Sequence, residues 1–231
     1  MRTLLPISLL PIRRLPIALA LALVFLAGCA SQPSTTFTSA APSVATERVV
    51  IRPVTPSGLP APGFSVTLDD SVTLDCGAAS LEPRPSPVAV DDDILACLPS
   101  SAYAVACWQD PSPSRAVCYR DPWTKSLVRM PTVGGVPAAS APPQAQPLGL
   151  LLSDGGRCRI RSGGVWNDLD RHTGWYGTYS CEGAEAVWAE SADGIDRSSP
   201  QWTVEVASIS GAGPLRTRGV VTAYFVGTQD G

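Results

Sequence analysis

The residues best placed to do chemistry fall in one glycine-bounded stretch, GGVWNDLDRHTGWYG (163–177). It sets Trp166 and Trp175 around Asp168, Asp170, Arg171 and His172. Loops held on a rigid scaffold often carry binding residues, and Trp and Arg dominate the anchors of protein interfaces. These six are therefore the candidate binding residues; the alternative turns both indoles into the core and leaves the charges in water. Asp168-x-Asp170 has the opening of a calcium loop. An EF-hand needs Gly at its sixth position and a bidentate Glu at its twelfth, and those positions hold Thr173 and Tyr179. No metal is assigned.

His172 is the only histidine, so a Ser-His-Asp triad has one base to draw on. SDGGRC (153–158) has the serine and aspartate of the serine-protease GDSGG signature in the wrong order, and reads better as a turn before a strand. The chain carries no G-x-S-x-G elbow, and its one lysine, Lys125, follows no serine at the S-x-x-K spacing. No catalytic residue and no cofactor are expected. Two other activities remain as alternatives. An envelope hydrolase would use a carboxylate pair about 5–9.5 Å apart, and a lipid carrier would need an apolar cavity.

The first cysteine, Cys29, ends an apolar run. After Arg2, Arg13 and Arg14, residues 15–28 carry no charge, and these fourteen residues fall short of the roughly 20 a membrane helix needs. A positive start, a short apolar segment and small residues at its end make a secretory signal. Leu26-Ala27-Gly28-Cys29 resembles the lipobox of bacterial lipoproteins at all four positions. The resemblance implies a diacylglycerol on the Cys29 sulfur, cleavage before it, and a protein held at the outer face of the cell membrane. Two acyl chains anchor stably where one is marginal. Arg13-Arg14 leaves Sec and twin-arginine export both open.

Six cysteines follow: Cys76, Cys97, Cys107, Cys118, Cys158 and Cys181. An even number in an exported chain reads as disulfides, and one histidine without a C-x-x-C pair makes a poor zinc site. In CWQDPSPSRAVC, Cys107 and Cys118 are equidistant from a turn at Ser112-Pro113, which places them opposite each other on a hairpin. Cys158 and Cys181 are alone in the C-terminal half, and Cys76–Cys97 follows by elimination. Crossed pairing among the first four is the alternative.

The elements that must position these groups are short strands. Beyond residue 63, GFSVTL, YAVACW, RAVCYR, KSLVRM, GLLL, RCRIR, GTYSC, AVWA, QWTVEVASI and VVTAYFV are punctuated by Asp-Pro, Gly-Gly and Asp-Gly. RCRIR puts Arg157, Arg159 and Arg161 on one face, with Cys158 and Ile160 on the other. In QWTVEV, Trp202, Val204 and Val206 share a face opposite Thr203 and Glu205. Only DDDILACL reads as a helix, with Asp91, Asp92 and Asp93 at its N-terminus. The expected fold is mainly β: a disulfide-stapled antiparallel sandwich or open barrel with one short helix.

The expected organisation is a signal peptide over 1–28, a Ser/Thr/Pro/Ala tether over 29–62 and a β domain over 63–231, with a proline-rich surface loop at 131–147. ERVVIRPV (47–54) interrupts the tether as a possible early strand. Residues 1–28 hold three of the seventeen basic residues and none of the twenty acidic ones, which leaves the remainder a formal charge of −6. That balance argues against nucleic acid and against a polybasic grip on anionic lipid, so membrane contact is expected through Cys29. CYRDPWTKSLVRM, GGRCRIRSGG and DGIDRSSPQWTVEV are similar to segments of small secreted or lipid-anchored actinobacterial proteins. That resemblance implies a disulfide-linked β domain and no catalytic residue.

The expectation is an envelope binding module whose partner is a protein, a glycan or a lipid. Non-reducing intact mass of the protein taken from membranes should begin at Cys29, exceed the bare chain by a diacylglycerol, and show no free thiol. A mass beginning at Met1 with reduced cysteines would overturn both expectations.

Overall fold

The computed structural model describes residues 44–77, 82–163, 167–169, 172–190 and 194–230. Residues 1–43, which include Cys29, lie outside them. The run RTRGVVTAYFVGT forms a thirteen-residue strand, β12 (Arg216–Thr228), and its length lets three others pair along it. One edge takes β11 (Thr203–Ser208) antiparallel, from Val206 opposite Arg216 to Thr203 opposite Gly219. Further along the same edge comes β1 (Glu47–Val54), parallel, from Glu47 opposite Thr222 to Val54 opposite Thr228. The other edge takes β6 (Gly149–Leu152). There Val221 is the extra residue of a register shift and stands 39% exposed.

From β6 the hydrogen bonding passes to β7 (Arg157–Ile160), β9 (His172–Cys181), β10 (Glu185–Ala189) and back to β11. The ring closes, so the expected β fold takes the form of a six-stranded antiparallel barrel beside a smaller sheet. A short strand, β8 (Asn167–Leu169), pairs with β9 outside the ring. Inward residues Leu150, Leu152, Ile160, Tyr179, Val187 and Val206 are all buried in one cluster. Eight strands leave a bore just wide enough for side chains; with six, side chains fill it and an acyl chain has no room. At one mouth the charges pair: Arg216 and Arg218 both meet Glu185, and Arg218 also meets Asp154.

The smaller sheet runs β2 (Ser65–Leu68), β5 (Ser126–Pro131), β4 (Arg115–Tyr119), β3 (Ala106–Gln109). Period-two alternation buries both its faces. Trp108, Val117, Tyr119 and Leu127 join the barrel's core, whereas Cys107, Ala116, Cys118 and Met130 build a second core with Leu74, Cys76, Leu95 and Cys97. Cys107 and Cys118 are register partners, and Cys107 exchanges both backbone hydrogen bonds with Leu95 on its other side. The two cysteines are thus a non-hydrogen-bonded pair, where side chains approach most closely, and a disulfide joins them. Cys158 and Cys181 are likewise register partners joined across β7 and β9. Cys76–Cys97 staples the segment that covers the small sheet. Burial lifts the Tyr119 phenol well above the usual tyrosine range, with the nearby Asp121 charge adding to it.

Two expectations are corrected. DDDILACL is no helix: the only helical turns among the described residues are the 3-10 segments Ser100–Ala102 and Glu182–Ala184. Extended pairing wins because Ile94, Leu95 and Cys97 find backbone partners at Ser86, Cys107 and Ala104. The acidic triplet acts as a clasp. Asp91 accepts from Arg52 at 2.5 Å and from the Thr228 N–H at 2.9 Å. Asp92 accepts from the Ala141 N–H at 2.8 Å, and Asp93 from the Ala139 N–H at 3.1 Å. Those two fasten the proline-rich loop, which also packs Val136, Ala139 and Ala145 onto the cores. The tether, placed over 29–62, is also too long at its C-terminal end. Residues 47–54 are β1, and Thr55 to Ala61 fold back on it through Thr55–Leu59 and Ala61–Pro53 hydrogen bonds.

Gly149 marks where the small sheet's β4–β5 turn meets the barrel wall. A Cβ there would lie 2.5 Å from Pro122 Cγ and 3.1 Å from the Trp123 ring, so a side chain forces the turn away. Gly149→Val is expected to destabilise the protein by about 1–3 kcal/mol, as overpacking does, read as a lower urea midpoint. A midpoint at or above wild type would show that the turn does not rest on this wall.

Candidate functional site

The barrel's outer wall over β9, β10 and β11 carries a separate apolar cluster of Ala186, Trp188 and Ala207, with Trp175 and Leu215 packed against it. Strand alternation explains it. Val187 and Val206 face the bore, so Ala186, Trp188 and Ala207 face outward. A register shift in β9 sets Val187 opposite Tyr179 but Trp188 opposite Gly177, a residue without a side chain. Trp175, two residues before Gly177, comes out on the same face and reaches the cluster.

Over this wall lies a cleft of about 450 Å³. Trp175 and Trp188 form its aromatic part, and Glu190, Asp196 and Glu205 its acidic part. The far side is the segment from Gly194 to Asp196, tied down where Asp196 and Thr203 exchange backbone hydrogen bonds at 2.9 and 3.0 Å. Gly194 has φ +62°, and a Cβ on it would come within 2.5 Å of Thr178 Oγ1. Only glycine lets the segment cross this closely.

Each carboxylate is oriented. Trp175 Nε1 donates to Glu190 Oε1 at 2.8 Å, Thr217 Oγ1 to Glu205 Oε1 at 2.6 Å, and the Ser198 N–H to Asp196 Oδ1 at 2.8 Å. Hydrogen bonds from Ser198 hold the Asp196 carboxyl below the usual carboxylate range. Trp188 is fastened from behind by Nε1 donating to the Ser208 carbonyl at 3.3 Å. Aromatic faces beside ionised carboxylates attract cations by ring quadrupole and charge together. No group of three or more His, Cys, Asp or Glu among the described residues has the geometry to hold a metal ion.

Of the six residues singled out from sequence, Trp166, Asp170 and Arg171 lie outside the described residues. The backbones of Asp168 and His172 belong to β8 and β9, with Leu169 in register with His172, so a paired hairpin stands where a loop was expected. Trp175 is the one of the six with a described side chain, and it lines the cleft. Trp188 is buried in the wall's own apolar cluster and lines the cleft. Sequence reasoning missed Glu190 and Asp196. It had assigned Glu205 to the face opposite Val204 and Val206, which is the signal that leads here. Trp202 and Trp123 are half-buried beneath arginines: Arg197 lies 4.8 Å from the first ring and Arg157 5.8 Å from the second.

Compared with known proteins, the chain matches no family model, no curated protein and no solved structure. The site is therefore read from its own chemistry.

The two indoles separate by substitution. Trp188→Ala empties a buried site and is expected to cost about 3–5 kcal/mol, whereas Trp175→Ala, at the half-buried edge, should cost about 1 kcal/mol, roughly one net hydrogen bond. Urea unfolding of the two variants measures both. Equal losses would make Trp175 a core residue and remove it from the cleft's binding surface.

Proposed function

We propose that this protein is a lipid-anchored binding module of the cell envelope, whose Trp175–Trp188 cleft receives a cationic side chain of an envelope protein. The observation that carries the reading is the cleft itself, where two indoles and three hydrogen-bonded carboxylates meet. Three disulfides support an oxidising compartment. The signal-like N-terminus and Cys29 supply the retention: acyl chains hold the protein at the membrane, the tether gives reach, and the cystine-braced body presents a rigid face.

Binding is favoured over the two alternatives by specific features. A glycoside hydrolase acting through paired carboxyls needs one shielded enough to stay protonated, whereas Glu190 and Asp196 are exposed to water. A lipid carrier needs an apolar cavity, and the barrel bore is filled by Leu150, Ile160, Tyr179, Val187 and their neighbours.

Crosslinking in living cells tests the proposal by comparing wild type with Trp175→Ala and Glu190→Gln. Wild type should yield a crosslinked envelope protein, and each variant should lose about tenfold of it, the effect of a contact worth about 1.4 kcal/mol. Crosslinks of unchanged yield in both variants would clear the cleft of this role.

A further inference from the structure

We propose that the outer face of β7 is a docking surface for an anionic lipid bilayer, with Arg157 and Arg159 engaging phosphate-bearing headgroups; the choice of a bilayer rests on the lipid-anchored reading above.

The stripe is built by alternation. Cys158 and Ile160 are buried on the bore side, so Arg157, Arg159 and Arg161 point outward, successive ones roughly 7 Å apart. On either side of Arg159 the register partners are Gly149 and Ser180. Neither side chain covers a guanidinium, and on the Gly149 side Pro122 and Trp123 border the stripe. Arg157 lies over the Trp123 ring at 5.8 Å and Arg159 over the Tyr103 ring at 5.2 Å. A guanidinium stacked on a ring keeps its N–H edge free for bidentate bonds to phosphate oxygens.

Charge balance points the same way. Among the described residues no carboxylate lies within ion-pair distance of Arg157 or Arg159. Arg120 has one, Asp69, at 3.9 Å. Burial is the first cause lowering the Arg120 pKa, and repulsion from Arg159 adds to it despite Asp69. Cations gathered without matching carboxylates favour an anionic surface locally, against the formal charge of −6 that the body carries after residue 28. The neighbouring rings suit a bilayer in particular. Tyr103 is 45% exposed and Trp123 half-buried, and such rings settle at the headgroup level. An acyl anchor at Cys29 would keep this face within reach of headgroups, and one membrane signal adds to another.

The test labels the mature chain's arginines with phenylglyoxal and reads each site by mass spectrometry. It compares vesicles of phosphatidylcholine, vesicles enriched in phosphatidylglycerol, and inorganic phosphate without lipid. Labelling of Arg157 and Arg159 should fall about fivefold with phosphatidylglycerol relative to phosphatidylcholine, while the exposed Arg48 of β1 is unchanged; high salt should abolish the protection. The preference for phosphatidylglycerol vesicles should drop about 25-fold in Arg157→Gln/Arg159→Gln, about fivefold per arginine. Equal labelling in both vesicle types, equal protection at Arg48, or an unchanged preference in the double variant would overturn the proposal. Equal protection by inorganic phosphate would also overturn it, replacing the bilayer with a small anion. A chain without a diacylglycerol on Cys29 would defeat the anchor reading alone, since the same labelling with added vesicles still reads this face.

Discussion

The structure depends on one strand having two usable edges over a length greater than any neighbour needs. β12 offers β11 and β1 successive stretches of one edge and β6 the other. A ring of short strands cannot close unless one strand spans the gap between the last pairing and the first, and Val221 supplies the register shift that brings it round. Closure removes the exposed edges that an open six-stranded sheet would present. It also fastens the start of the described chain to its end, because β1 lies parallel to β12 and Arg52 reaches both Asp91 and the Thr228 carbonyl.

The small sheet would be poorly stabilised alone. It has four short strands, and its stability comes from being covered twice. The barrel covers the face of Trp108, Val117 and Tyr119, and an irregular segment covers the face of Cys107 and Cys118. Irregular segments cost conformational entropy to order. Here the Cys76–Cys97 disulfide closes that segment's loop, and Asp92 and Asp93 fix the proline-rich loop beside it. The acidic triplet thus meets needs of the backbone, its carboxylates accepting hydrogen bonds from the Thr228, Ala141 and Ala139 N–H groups.

With the bore filled, the chemistry that meets solvent is carried by the outside of the barrel. Two stretches of that wall differ in chemistry for the same geometric reason. On β10 the outward residues are Ala186 and Trp188, with carboxylates at the rim of the cleft; on β7 they are arginines laid over aromatic rings. In both, the bore-facing residues satisfy the core and the alternate positions are left for contacts outside. The overall acidity of the chain conceals the second, since a net charge reports the sum of the residues and not their segregation.

Much of the local structure was legible in the residues. ERVVIRPV and GLLL are strands over those same residues, and hairpin symmetry brought Cys107 opposite Cys118, because alternation, turn residues and equal spacing act between near neighbours. The outward direction of Arg157, Arg159 and Glu205 was readable for that reason too. Of the cleft, Trp175 and the outward side of Glu205 could be named, but the meeting of Trp175 with Trp188, Glu190 and Asp196 could not. Barrel closure, the clasp made by the aspartates in place of a helix, and the stacking of Arg159 on Tyr103 were equally out of reach. Each of these joins residues far apart in the chain through the register of β9, β12 and the small sheet, which long-range packing selects and local pattern does not encode.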